Sequence, residues 1–391
     1  MKLLVVSYKT CWPHADSPSG YATDGGFPFQ MRALSELFDA TTLLLPCLPA
    51  NKRAGESWLS GHHLAVQPIP PLAGADFRRK LRFPFWLLRN LSAIWRAVRQ
   101  ADAVHAPIPG DIGTVGMLFA LLMRKPLFVR HCGNWTRPVT LAEHFWKWLM
   151  IRYGGNRNVF LATGGAIEPP APDNPAVRWI FSTTLTQAEL QHCAIERGPA
   201  PRHPPRLLLA ARQIKEKGVG LVIASLPLLL AQWPGLQFDV VGDGPDLAAF
   251  KQQAAALGVS ANVVFHGRVN HEQVIALMQA ADVFCFPSTA SEGFPKAVLE
   301  ALACGLPAIT TRVSVLPFLI GQGGGLLLDQ ASARAIADAV RACLADPARY
   351  RAMSAQAVAT AQSYSLETWR DTIGGWLRTA WGPLRAEHES T

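Results

Sequence analysis

The chain has 391 residues, more than one hydrophobic core usually organises, so two domains are expected. The composition is 49% hydrophobic and 17% charged, which excludes an intrinsically disordered chain, and 31 glycines with 30 prolines exclude a long coiled coil. The seven cysteines form no C-x-x-C pair, which argues against a disulfide framework or a structural zinc site and suits a reducing cytosol.

The net charge of +9 is unevenly distributed along the chain. Residues 1–198 carry 21 Lys and Arg against 13 Asp and Glu, whereas residues 199–391 carry 16 against 15. A basic first half indicates an anionic surface or partner. No nucleic-acid-binding motif accompanies the charge, so we expect no nucleic-acid partner. Neither a signal peptide nor a run of roughly 18 uncharged apolar residues is present, so we expect a cytoplasmic protein.

In chain order, the first half alternates short apolar strands with helices. A strand is predicted at 2–7, then a glycine-bearing loop through 19–26 and an amphipathic helix from about Phe29. Further strands are predicted at 40–45, 103–105, 127–130 and 159–162. This alternation predicts an α/β fold whose parallel sheet is covered by helices on both faces.

A proline-rich segment at 197–205 separates the two halves. Its four prolines neither continue a helix nor fit inside a sheet, so a linker is predicted. The alternation then restarts, with strands at 206–211, 237–241, 263–265, 283–286, 308–311 and 326–328, and helices at 218–231, 246–257 and 271–281. The pattern predicts domains at 1–198 and 199–361, followed by terminal helices in 362–391. Such sheets bind ligands at the carboxyl ends of their strands.

The most informative segment follows the strand predicted at 283–286. Glu292 lies in a polar loop, Pro295 stands where a helix begins, and Glu300 falls on the second turn of that helix. Loop amides and a helix N-terminus suit a phosphate, and two carboxylates suit sugar hydroxyls. The alternative is that Glu300, four residues after Lys296, forms an ordinary surface ion pair.

The segment Glu292-Gly-Phe-Pro-Lys-Ala-Val-Leu-Glu300 resembles the E-x7-E motif of retaining GT-B glycosyltransferases that use nucleotide-sugar donors. The second half resembles this family in order at four further segments: Ala211–Gly218, Val241–Pro245, Val264–Val269 and Ala280–Ser288. The resemblance implies two Rossmann-like parallel-sheet domains that face each other across a cleft. It also implies a C-terminal helix that crosses back to the first domain.

The resemblance implies a donor site in the second domain. Arg212 and Lys217 would stabilise the departing nucleoside diphosphate, Glu300 would accept hydrogen bonds from the ribose, and Glu292 would bind the donor sugar as a catalytic residue. Further positions near the phosphate or the base are Gly25, Gly26, Gly293, Phe294, Pro295 and Val269. No cofactor is expected, and no bound metal, since the sequence has no Asp-x-Asp motif.

Two features of the first half resemble the family more weakly. Gly25 and Gly26 match a loop that approaches the donor phosphate, where residues without Cβ allow a close approach; the alternative is an ordinary turn. His131 directly follows the strand predicted at 127–130, where the family often has His-Gly, although Cys132 intervenes here. We name His131 as a second catalytic residue, the alternative being a structural hydrogen-bonding role.

Two segments of the first half mix aromatic residues with cations. Residues 76–99 contain seven cations and one acid, and residues 143–153 are similar. This pattern is typical of helices at a membrane interface, the alternative being ordinary helices that cover the sheet. We expect peripheral contact with the anionic inner face of the cytoplasmic membrane, with four tryptophans at the headgroup level: Trp86, Trp95, Trp146 and Trp148.

These observations favour a retaining glycosyltransferase that moves a sugar from a UDP- or GDP-sugar to an acceptor hydroxyl. The acceptor expected at a membrane is a lipid-linked saccharide in cell-surface polysaccharide or glycan synthesis. The alternatives are a nucleotide-sugar epimerase of GT-B-like fold and a non-catalytic basic binding protein.

Overall fold

The computed structural model describes residues 1–49, 56–72, 76–133, 135, 138, 140–195, 198, 200–290 and 294–386; of residues 56 and 76–80 it describes the backbone alone. The chain forms two compact units. The first comprises Met1–Thr163, Glu168–Thr184 and Leu366–Thr391, and the second comprises Gly164–Ile167 and Leu185–Ser365.

The first unit is built on parallel strands with helices on both faces. Its strands are β1 (Lys2–Val6), β2 (Trp12–Pro13), β3 (Tyr21–Asp24), β4 (Ala40–Pro46), β5 (Glu56–Trp58), β6 (Leu64–Ile69), β7 (Ala103–Ile108), β8 (Leu127–His131), β9 (Asn158–Thr163) and β10 (Val177–Ile180). Seven of them form a parallel sheet in the order β10-β9-β8-β7-β1-β4-β6. Its helices are α1 (Phe27–Ser35), α2 (Asp76–Gln100), α3 (Asp111–Leu122) and α4 (Leu141–Tyr153).

Strand β1 shows how one sequence supports two cores. Successive side chains of a strand point to opposite faces, so the run Leu3-Leu4-Val5-Val6 divides between them. Leu3 and Val5 pack with residues of α1, and Leu4 and Val6 pack with residues of α2, α3 and α4. A near-continuous apolar strand is therefore buried on both sides.

The remaining strands, β2, β3 and β5, form a small antiparallel sheet in the order β2-β3-β5. The sequence predicts only a loop between β1 and α1, and this prediction is wrong for β2 and β3. Strands of two to four residues are too short to show an alternating pattern, so the sequence does not reveal them.

The second unit contains a six-stranded parallel sheet. Its strands are β11 (Arg206–Ala210), β12 (Gln237–Val241), β13 (Val263–Gly267), β14 (Val283–Phe286), β15 (Ala308–Thr311) and β16 (Gly325–Leu328), in the order β13-β12-β11-β14-β15-β16. Its helices are α5 (Gln187–Cys193), α6 (Val219–Leu230), α7 (Leu247–Ala256), α8 (His271–Ala280), α9 (Lys296–Ala303), α10 (Leu316–Ile320), α11 (Ala333–Leu344) and α12 (Pro347–Gln362). The strands predicted at 237–241, 283–286 and 308–311 match β12, β14 and β15 residue for residue.

The last helix, α13 (Leu366–Trp381), belongs to the first unit. Its buried residues Trp369, Ile373 and Leu377 recur every four residues and join the core that contains Leu3. The guanidinium of Arg130 on β8 lies 5.1 Å from the centre of the Trp369 ring, which adds a cation–π contact. The predicted return of the C-terminal helix to the first domain is confirmed. Within the described ranges, no helix is both long enough and apolar enough to span a bilayer.

Candidate functional site

A pocket of about 870 Å³ lies in the second unit, where β11, β12 and β13 end. These strands are neighbours in a parallel sheet, so their carboxyl ends meet at one edge, where such sheets bind ligands. Three residues predicted to bind the donor line it: Arg212, Val269 and Glu300. The other lining residues are Ala210, Ala211, Val241, Gly242, Asp243, Gly244, Arg268 and Val274.

One wall of the pocket is a glycine turn that follows β12. Gly242 has φ +114°, and a Cβ there would lie 2.0 Å from the carbonyl oxygen of Ala211. A Cβ at Gly244 would lie 2.3 Å from the carbonyl oxygen of Gln213. Glycine is required at both positions because the turn after β12 is in direct contact with the backbone of the loop after β11. This close packing leaves the pocket open.

Gln213 fixes the loop that carries Arg212. Its side chain is fully buried, and its Nε2 donates hydrogen bonds to the carbonyl oxygens of Ala211, at 2.8 Å, and Val241, at 3.0 Å. These bonds join the ends of β11 and β12 beneath the pocket. Sequence reasoning missed Gln213, because a glutamine in a polar loop looks like a solvated residue.

Two arginines, Arg212 and Arg268, bring positive charge to the pocket. Both are exposed, and neither forms an ion pair with an acidic side chain in the part of the chain that the structure describes. Sequence reasoning named Arg212 and missed Arg268, although Arg268 directly precedes Val269. A concave surface with two arginines available for an anion favours a phosphate-bearing ligand.

Glu300 reaches the pocket from α9. Pro295 is the N-cap of this helix, as the sequence predicts. The helix is anchored by its own buried residues Val298, Leu299 and Leu302. The Glu300 carboxylate is 15% exposed, and its Oε1 lies 3.1 Å from Nε2 of His271 on α8. This hydrogen bond raises the pKa of His271 above its ordinary value, against the opposing effect of burial.

Lys217 lies beside the pocket rather than among its lining residues. It ends the short 3₁₀ turn Lys215–Lys217, and its Nζ lies 5.6 Å from the centre of the Phe286 ring, a cation–π contact. Gly218 follows in a left-handed conformation, with φ +83°, and packs against the backbone of Pro287. Lys217 is therefore held where β14 ends.

The start of the E-x7-E segment is only partly described. Glu292 and Gly293 lie outside the described residues. The Phe294 ring lies 5.6 Å from that of Tyr364, and Pro295 is buried at the start of α9. The predicted roles of these four residues stay predictions.

The first unit contains the other predicted residues. His131 is the last residue of β8, is 2% exposed, and packs edge-on against Trp135 at 5.4 Å between ring centres. Its Nδ1 has no hydrogen-bond partner among the described residues, and burial lowers its pKa, which favours the neutral imidazole. Gly25, with φ +69°, follows β3, and Gly26 is the N-cap of α1.

The four tryptophans expected at the headgroup level divide into two pairs. Trp86 and Trp146 are buried, and their Nε1 atoms donate to the carbonyl oxygen of Pro70, at 2.8 Å, and Oγ1 of Thr114, at 2.9 Å. The expectation is therefore wrong for this pair, since both are core residues of the first unit. Trp95 and Trp148 are exposed, at 38% and 55%.

Comparison with known families identifies the unit that holds the pocket. Residues 194–360 match the family model described as "Glycosyl transferases group 1". The second unit belongs to this family. The matched range contains every residue that lines the pocket.

Two curated relatives each match less than half of the chain. One is a GDP-mannose-dependent alpha-(1-6)-phosphatidylinositol monomannoside mannosyltransferase of Mycolicibacterium smegmatis, 32% identical over 173 residues, which cover 42% of this chain and 44% of that protein. The other is a D-inositol 3-phosphate glycosyltransferase of an Arthrobacter species, 34% identical over 187 residues, which cover 46% of this chain and 42% of that protein. The matches thus span less than half the length of either relative.

A solved structure matches nearly the whole chain. The crystal structure of Anabaena HepE in complex with UDP has a TM-score of 0.70 and 18% sequence identity, and the match covers 97% of this chain and 100% of that one. At this identity the likeness shows the fold, which is the two-unit α/β fold of GT-B glycosyltransferases. The predicted fold class is confirmed.

Proposed function

We propose that this protein is a glycosyltransferase that moves one sugar from a nucleotide-sugar donor to an acceptor hydroxyl. The observation that carries the proposal is the pocket of the second unit. Its lining includes Arg212 and Arg268, which have no acidic partner among the described residues, together with Glu300 of α9. This combination suits a nucleoside diphosphate, which is anionic at its phosphates and carries hydroxyl donors on its ribose.

The arginines would act on the leaving group. When the bond between the sugar and the diphosphate breaks, negative charge grows on the phosphate oxygens and must be stabilised in place. A guanidinium is always charged and binds phosphate through two parallel hydrogen bonds. Lys217, held beside Phe286, would add a point charge near the loop that follows β14.

The remaining pocket residues suit the nucleoside. Glu300 would accept hydrogen bonds from the ribose hydroxyls, and the apolar side chains of Val269 and Val274 would contact the base. Glu292 would hold the sugar hydroxyls, and the backbone from Gly293 to Pro295 would line the phosphate. Gly25 and Gly26 would also bind the phosphate, and His131 would bind the sugar.

We further propose that transfer retains the anomeric configuration. The support for retention is the resemblance of residues 292–300 to the E-x7-E motif of retaining enzymes. The C1–O bond to the diphosphate would break as the acceptor oxygen bonds to C1 from the same face. The acceptor hydroxyl proton would pass to the departing phosphate oxygen. Glu292 would stabilise the positive charge on the sugar without bonding to it.

The acceptor that we propose is a lipid-linked saccharide. The relative from Mycolicibacterium smegmatis is named for a phosphatidylinositol monomannoside, which is a lipid. A soluble enzyme that acts on such an acceptor needs a surface that contacts the membrane. We place this surface on the first unit and at the inner face of the cytoplasmic membrane.

The surface that supports this placement is an apolar stripe along α2, made of Leu81, Phe85, Leu88 and Trp95. All four side chains are exposed, Phe85 and Leu88 at 72% and 73%. Their spacing puts them on one side of the helix. Three exposed cations recur every seven residues beside the stripe: Arg82, Arg89 and Arg96.

Helix α4 adds a second group of exposed apolar side chains in the same unit: Leu141, Phe145 and Trp148. Apolar side chains that enter a bilayer, flanked by arginines at the headgroups, favour an anionic membrane as the partner. Each cation near such a membrane contributes on the order of 1 kcal/mol.

The donor is tested by thermal stabilisation with a panel of UDP-, GDP- and ADP-sugars, since a ligand of the folded state raises the melting temperature. We expect at least one donor to stabilise the wild type. For R212A and E300Q, the same stabilisation should require a roughly tenfold higher donor concentration. R334A is the matched control, because Arg334 is an exposed arginine of the second unit that pairs with Asp338 outside the pocket. Equal stabilisation of wild type, R212A and E300Q would contradict the assigned site.

A further inference from the structure

We infer that His271 is a positioning residue of the donor site: it holds one oxygen of the Glu300 carboxylate so that the other oxygen faces the ribose hydroxyls. The inference rests on the proposed function and adds a residue to it. Neither the E-x7-E motif nor the pocket lining includes His271.

The position of His271 is fixed by the start of α8. Asn270 caps this helix, and its side chain and that of Gln273 form a reciprocal capping box. His271 is the first residue of the helix. Val274, one turn later, lines the pocket, so His271 stands at its rim.

The contact leaves half of the carboxylate available. Oε1 of Glu300 lies 3.1 Å from His271 Nε2, whereas Oε2 accepts no hydrogen bond from any described residue. A carboxylate has room for about four hydrogen bonds, so one partner on Oε1 does not prevent binding of a ribose hydroxyl at Oε2. Without His271, Glu300 is free to adopt rotamers that turn away from the pocket.

The groups that face His271 come from two helices. Glu300 lies on α9 and Glu189 lies on α5, and both carboxylates favour the protonated imidazole; the side chain of Cys193 on α5 also faces it. The hydrogen bond that His271 donates to Glu300 is the largest cause of the raised pKa, and partial burial opposes it. Because the pKa is raised, the charged contact is complete at low pH and is lost as the pH rises through the pKa of His271 in the folded protein.

The experiment measures the affinity of a nucleotide-sugar by calorimetry between about pH 5.5 and 8.5. The probe is whichever of UDP-glucose, UDP-N-acetylglucosamine, GDP-mannose and ADP-glucose stabilises the wild type most. A sugar diphosphate diester has no phosphate group that titrates in this range, so the profile reports on the protein. The variants are H271A, which removes the contact, and H271Q, which keeps a neutral donor. H192A is the control, since His192 is an exposed histidine of α5.

We expect the wild type and H192A to lose affinity several-fold as the pH rises. H271A should bind roughly fivefold to tenfold more weakly at the acidic end, with a flat profile, since it lacks one charged hydrogen bond. H271Q should also be flat but recover much of the affinity. In a turnover assay, H271A should raise the donor KM and leave kcat nearly unchanged, because the contact orients a binding residue.

Two outcomes separate the inference from the proposal that it rests on. If the wild type binds a nucleotide-sugar and H271A binds it with the same affinity and pH profile, His271 has no positioning role and the donor site still stands. If the wild type binds none of the probes, the proposed function itself fails, and the inference fails with it.

Discussion

Replacing Gly218 by alanine tests whether the Lys217 turn is built by direct backbone contact. Gly218 has φ +83°, and an added Cβ would lie 2.5 Å from the carbonyl oxygen of Pro287. The matched control is Gly258, which has φ +69° and nothing within 4 Å of an added Cβ. Both variants incur the left-handed cost of a non-glycine residue, about 1–2 kcal/mol, and only G218A adds a steric conflict.

The difference between the two variants isolates that conflict. Forcing an extra carbon into packed surroundings costs about 1–3 kcal/mol more. For a unit of this size each kcal/mol lowers the melting temperature by about 2–4 °C, so we expect a loss on the order of 4 °C for G258A and on the order of 10 °C for G218A. Donor affinity should fall only in G218A, because Lys217 moves with the turn.

Differential scanning calorimetry with and without donor measures both effects. If G218A and G258A melt at the same temperature and bind donor equally, the contact between Gly218 and Pro287 does not shape the site. A loss of stability in G218A with unchanged donor affinity would show that Lys217 does not contribute to donor binding.

Three further predictions follow from the proposed function. The wild type should sediment with anionic vesicles at low salt and be released as the salt concentration rises. The double variant Phe85→Ser with Leu88→Ser should not sediment. The control is Ile167→Ser, a substitution at an exposed residue of the second unit. Transfer should continue in excess EDTA, because Arg212 and Lys217 supply the fixed positive charge; full loss of activity would show that a metal is required. Proton NMR coupling constants should show the same anomeric configuration in product and donor, and an inverted product would refute retention.

The order of strands and helices could be predicted from the sequence, and so could part of the pocket. Parallel strands buried on both faces appear as short apolar runs, and this is why the strand predicted at 237–241 coincides with β12. Arg212, Val269 and Glu300 come from distant segments, yet each follows or covers a strand of one sheet. The rule that parallel strands end at one edge brings these three residues together.

Other features depend on tertiary contacts that a sequence does not display. Helix α2 is apolar on its core side and along its exposed stripe, so its pattern does not tell that Trp86 faces inward and Trp95 outward. Gln213 and His271 are polar residues near chain turns, where solvated side chains are common. Their roles appear only when their partners, Val241 and Glu300, come into contact.

The most direct test of the donor site is a crystal structure of the protein with the nucleotide-sugar that stabilises it most. We predict density in the pocket of the second unit, with the diphosphate within hydrogen-bond distance of the Arg212 guanidinium and a ribose hydroxyl within hydrogen-bond distance of the Glu300 carboxylate. A nucleotide bound elsewhere in the molecule, with this pocket empty, would contradict the assignment.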